Sequence, residues 1–108
     1  MAVRKLEPTE WKVFFDTYSR DVLMSDRAEY ADLRLLSGTL GNLEGTSWLP
    51  LRGITWDPGN EILEIILEDL DHLVTRPSEI YVEQDGDGAI RSMEIVEKDG
   101  TKQILEMR

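Results

Sequence analysis

EILEIILEDLDHLV, residues 61–74, can be read in two ways, and the fold turns on the choice. As a strand, the segment puts Leu63, Ile65 and Leu67 on one face with a period of two. As a helix, its apolar residues fall within one wide arc broken only by Asp69. Two features favour the strand. DPGN, 57–60, is a four-residue turn signal that would join ITWD and EILEIIL as a hairpin. The segment is also rich in isoleucine, which suits a pleated, half-buried surface. In the strand reading DLDHLV, 69–74, becomes a short helical turn or crossing. TRPSE then breaks the pattern at Pro77, which pushes Arg76 toward extended geometry.

On the C-terminal side the pattern is plainer. SEIYVEQ (78–84), AIRSMEIVE (89–97) and TKQILEM (101–107) alternate as strands, and the links DGDG and KDGT carry Asp-Gly pairs that fit hairpin turns. On the N-terminal side EYADLRLL, 29–36, alternates too. SGTLGNLEGT, 37–46, is a Gly-rich connection and the best candidate for a mobile loop. Pro50 places SWLPL at a sheet edge or a strand end. Ahead of all these, Trp11, Phe14, Phe15, Tyr18, Val22 and Leu23 recur at helical spacing over about 8–23, with Pro8 suited to the first turn. The expectation is a single α+β domain over 1–108. One N-terminal amphipathic helix (8–23) packs on a largely antiparallel sheet of about six strands in the β-rich part, 29–107.

Composition narrows the function classes. Of the 108 residues 41% are apolar and 31% charged, the balance of a globular domain, and there is no cysteine for a disulfide, a thiolate metal site or a thiol nucleophile. No apolar run approaches the length of a membrane span, and MAVRKLEPTEW lacks the apolar core of an export signal, so a cytoplasmic location is expected. The net charge is −10 and unevenly placed: residues 57–87 hold ten acids and one base, Arg76. Such a surface repels phosphate backbones and anionic lipid. Nucleic acid and membrane are therefore not expected partners, whereas a basic protein surface is.

EQDGDGAIRSME, 83–94, invites a calcium reading, because Glu83, Asp85, Asp87, Gly88, Ile90 and Glu94 fall on positions of an EF-hand loop. The flanks argue against it. HLVTRPSEIYV contains a proline, EIVEKDGT alternates and then turns, and Arg91 puts a cation toward the ion's place. The stretch reads as two strands joined by an Asp-Gly hairpin, leaving Asp85 and Asp87 as weak metal candidates and no cofactor expected.

His72 is the sole histidine. It is either a structural side chain at the edge of the core or a proton shuttle beside Asp71. Ser47, Thr46 and Ser78 lie in no recognisable nucleophile context. Trp48 and Trp56 bracket LPLRGIT; each either packs in the core or stands exposed as a contact anchor, with the core reading favoured.

KLEPTEWKVFFD, WLPLRGITWDPGNEILEIILEDLDHLV, RPSEIYVEQ and IVEKDGTKQILEMR together resemble a family of small bacterial proteins classed as a domain of unknown function, DUF5335. The resemblance runs over nearly the whole chain and is most specific in WLPLRGITWDP and LDHLVTRPSEIYV. It implies a small bacterial domain and supplies no catalytic residue or cofactor.

The leading functional expectation is a non-catalytic interaction module. Glu68, Asp69, Asp71 and His72, with Trp48 and Trp56, would form the partner-binding set. A small-ligand- or divalent-metal-responsive domain is the alternative. An enzyme using His72 is the third.

Overall fold

The computed structural model describes residues 2–24, 30–37, 41–44, 48–86 and 89–107. The chain opens with β1 (Ala2–Leu6). Glu7 then starts a 3-10 turn, Pro8–Glu10, its N–H donating to Glu10 Oε2 at 3.0 Å, and the turn runs into α1 (Trp11–Met24). Trp11, Phe15 and Ser19, four residues apart, are the buried stripe of α1, with Phe14 and Tyr18 half-buried beside it. The helix is therefore the second element, not the first. AVRKL hides its strand character because Leu6 is buried while Val3 is exposed and Arg4 holds the helix-facing side.

Eight further strands follow: β2 (Tyr30–Ser37), β3 (Gly41–Glu44), β4 (Leu49–Asp57), β5 (Ile62–Leu67), β6 (Leu70–Thr75), β7 (Pro77–Gln84), β8 (Ile90–Glu97) and β9 (Lys102–Met107). The described residues thus hold nine strands where about six were expected; β1, β3 and β6 are the additions. β3 lies inside the Gly-rich stretch expected to be a loop and pairs with β2. β6 replaces the expected helical turn, since two residues, Glu68 and Asp69, suffice to reverse the chain after β5, with Asp69 in the left-handed region at φ 62. Aspartate tolerates that conformation better than most side chains.

Arg76 departs from the extended geometry expected before proline and has φ 50. Its N–H donates to the Glu61 carbonyl at 2.8 Å, and its carbonyl accepts from Lys98 N–H at 3.0 Å. These two bonds hold the corner where β6 turns into β7.

All pairing is antiparallel, in the order β1-β7-β8-β9-β2-β4-β5-β6. Two strands share one edge of β2: β4 pairs only at Tyr30 and Ala31, and β3 takes Arg34–Ser37. β4 is thereby released from β2 and diverges, so β4-β5-β6 folds over the larger part of the sheet. The fold-over is visible in one bond: His72 on β6 meets Gln103 on β9 at 2.5 Å. On a flat sheet those strands would lie four spacings, roughly 19 Å, apart. Between the two parts lies one apolar cluster that includes Leu63, Ile65 and Leu67 of β5, Ile80 and Val82 of β7, Met93 and Ile95 of β8, and Leu105 of β9, with Trp11 and Phe15 of α1. Burying each such side chain is worth about 1.5–3 kcal/mol.

α1 fills the gap that β4 leaves. The Ser19 hydroxyl donates to the Ile54 carbonyl at 2.6 Å and accepts from the Ile54 N–H at 2.7 Å. A hydroxyl carries both functions. One buried side chain thus completes, at one residue, the ladder a missing neighbour strand would have supplied. Gly53 permits the approach: a Cβ there would stand 3.3 Å from Ser19 Oγ. Trp11 packs edge-on against Trp56, centroids 5.0 Å apart, and donates its indole N–H to the Leu6 carbonyl at 3.2 Å.

Candidate interaction edge

β6 ends the strand order, so one of its edges carries no strand among the described residues. Which backbone groups face out follows from Ser19. Ile54 spends its N–H and C=O on α1, so Ile54 and Ile65 form a non-hydrogen-bonded pair. Alternation then makes Ile65 and His72 a hydrogen-bonded pair. The N–H and C=O of Asp71, Leu73 and Thr75 accordingly point away from the sheet.

The side chains of β6 follow the same period. Val74 is buried and His72 half-buried on the core face, whereas Asp71 and Leu73 take the opposite face. Leu73 is 52% exposed and Leu70, beside the turn, 41%. In register with Leu73 are Glu64 on β5 and Thr55 on β4. Glu64 is held above the ordinary carboxyl range, first by burial, then by a hydrogen bond and charge repulsion from Asp71, with a hydrogen bond to Thr55 opposing. Glu68, in the turn, lies 3.7 Å from Arg52.

Four of the residues singled out in the sequence, Glu68, Asp69, Asp71 and His72, therefore lie on one hairpin, but they do not converge. His72 points to the core face. Gln103 donates its amide to Glu97 Oε2 at 3.2 Å, which leaves its carbonyl oxygen to accept from His72 Nε2–H. The histidine thus satisfies the buried Gln103. Trp48 is half-buried just before β4, at the same end of the β4–β5–β6 ladder as the Glu68–Asp69 turn. Trp56 is toward the other end, in register with Leu63 and packed on Trp11. The two tryptophans do not form a pair.

Of the weak metal candidates, Asp85 is ion-paired with Arg91, and Asp87 lies outside the described residues. Glu83 and Glu94 alternate with buried Val82 and Met93, and so take the outer face. Among the described residues no three metal-ligating side chains gather. None of their helices is long and apolar enough to cross a membrane.

Leu73 escaped the sequence reading because an exposed leucine contradicts the simplest apolar-inside rule. A signal was available: with a two-residue turn after Leu67, His72 and Val74 pair with Ile65 and Leu63, and Leu73 has to face outward.

The family model for a family of unknown function, DUF5335, matches residues 2–108. The chain belongs to that family. It is also 33% identical over 109 residues to a protein of Aquifex aeolicus (strain VF5) that bears the description "Uncharacterized protein"; the match covers 100% of this chain and 94% of that one. No solved structure matches it.

Proposed function

We propose that this DUF5335 domain is a non-catalytic interaction module that takes a basic, extended segment of a partner protein along β6. The observation that carries the reading is an edge that no strand covers among the described residues: its outward backbone groups are at Asp71 and Leu73, with exposed Leu70 and Leu73 on its two faces. Strand addition to such an edge supplies main-chain hydrogen bonds for affinity and alternate side-chain positions for specificity.

Charge selects the partner. The edge belongs to the stretch 57–87 with its ten acids and one base. A strand alternating basic and apolar residues would set its cations on the outer face, against Asp71 and the turn acids Glu68 and Asp69 with their alkyl stems on Leu73, and its apolar side chains on the other face, against Leu70. Trp48 would extend the contact at the turn end. Trp56, stacked on Trp11, serves the packing of α1 on β4 in this reading.

The test is a titration of the isotope-labelled domain with a peptide alternating lysine and valine. Saturable shifts along β6 are expected, abolished by the joint reversal Glu68→Lys, Asp69→Lys and Asp71→Lys. Three reversals elsewhere, at Glu83 on β7, Glu94 on β8 and Glu106 on β9, should leave most of the affinity intact. Equal loss from both sets would reduce the effect to net charge and defeat the reading.

A further inference from the structure

A second surface lies on the opposite flank of α1. Glu10, Val13, Phe14, Thr17, Tyr18 and Asp21, with Gln84 at the end of β7, line a concavity of about 360 Å³. Its volume is at the small end of the range for ligand sites. Residues 10, 13, 14, 17 and 21 form one exposed stripe, yet the stripe is not wholly polar: Val13 is 69% exposed and the Phe14 ring is half-open.

One end of this stripe already seats a cation. The Arg4 guanidinium stands 5.6 Å from the centre of the Phe14 ring, and its Nη1 is 2.8 Å from Glu10 Oε1. An aromatic face beside a carboxylate is the arrangement that recognises organic cations. The other end repeats half of it. Asp21, two helical turns beyond Phe14, is exposed, and no cation lies within ion-pair distance of it among the described residues.

We propose that the groove binds a small ammonium ion carrying an aromatic or alkyl body. The body lies on Val13, Phe14 and Tyr18, and the ammonium group faces Asp21. Charge complementarity selects the occupant: the groove offers carboxylates at both ends, no Lys or Arg is among its described lining residues, the nearby Arg4 is spent on Glu10, and the molecule's net charge of −10 disfavours anions.

Phenethylammonium is the probe, with 2-phenylethanol as its neutral counterpart and phenylacetate as its anionic one. Amide resonances of the labelled full chain are followed during each titration. Phenethylammonium should give saturable shifts at Val13, Phe14, Thr17 and Asp21, and the other two should bind at least about threefold more weakly. Asp21→Asn should weaken phenethylammonium by a similar factor, Thr17→Trp should abolish its binding by filling the groove, and Asp69→Asn should change nothing. Both α1 substitutions are at exposed positions, and the amide spectrum of each variant reports whether it has folded. Equal affinity for 2-phenylethanol, an unchanged constant in Asp21→Asn, shifts centred on β6, or no saturation at all would each overturn the proposal.

Discussion

Ser19 shows how much one side chain can carry. Its hydroxyl satisfies both backbone groups of Ile54 at 2.6 and 2.7 Å in a site closed to water. Ser19→Ala leaves a buried donor and a buried acceptor unmet, each costing about 1–3 kcal/mol. We expect a loss of about 2–4 kcal/mol in chemical denaturation, with an unchanged slope, and faster amide exchange at Ile54. Two carboxyls act with opposite signs. Glu64 is raised, so the folded state holds its proton more tightly than the unfolded chain does. Its contribution is favourable below the unfolded value and is lost as pH rises through the folded one. Asp57 is lowered, first by the Asn60 side chain and then by the Asn60 backbone N–H. Its contribution is present above its unfolded value and is lost as pH falls through the folded one. Glu64→Gln should therefore stabilise the domain at neutral pH and lose that advantage in acid. Asp57→Ala should destabilise it at neutral pH and converge on the parent in acid. Paired melts at pH 7 and pH 3 read both signs.

Strands with clean alternation were legible in the sequence. β5, β7, β8 and β9 bury alternate residues over most of their lengths, with Gln103 a polar member of the β9 series. The strands that escaped notice each have a local reason. β1 is five residues long with Leu6 as the one core side chain it shows among the described residues; β3 is four residues within a Gly-rich stretch; β6 begins after only two turn residues. Long-range pairing, not local propensity, decides such segments. The candidate edge was half legible. Its acids were visible as composition, but its openness depends on strand order, which alternation alone does not encode. The β6–β7 corner offers a test of local strain. Arg76 has a left-handed backbone that its side chain disfavours by roughly 1–2 kcal/mol, though it is held by bonds from both sides. Glycine adopts that conformation freely but loses more entropy on folding. Arg76→Gly should raise stability by up to about 1 kcal/mol in a denaturant titration. A loss instead would show that the Arg76 side chain makes a contribution beyond its backbone geometry.

At the scale of the molecule an acidic surface meets a sheet edge that no strand covers among the described residues, and the two features restrain one another. An unpaired β edge with exposed leucines is a template for self-association. A second copy approaching β6 would bring a second set of acids to the same edge, opposing Asp69, Asp71 and Glu68 with like charge. A basic strand meets no such barrier. One surface can thus disfavour pairing with itself and favour pairing with a partner, through the sign of its charge. Salt separates the two processes. Screening shortens from about 10 Å at 0.1 M to about 3 Å at 1 M salt. Affinity for the lysine–valine peptide should therefore fall steeply as salt rises, while the tendency to self-associate should grow. Leu73→Lys should suppress the salt-induced association by adding a charged side chain to the edge. It should also weaken the peptide, by setting a cation against the lysines whose stems pack on Leu73. Sedimentation at low and high salt, run beside the peptide titration, measures both. If the parent associates equally at both salt concentrations, or Leu73→Lys leaves association unchanged, then β6 is not the surface that charge is guarding.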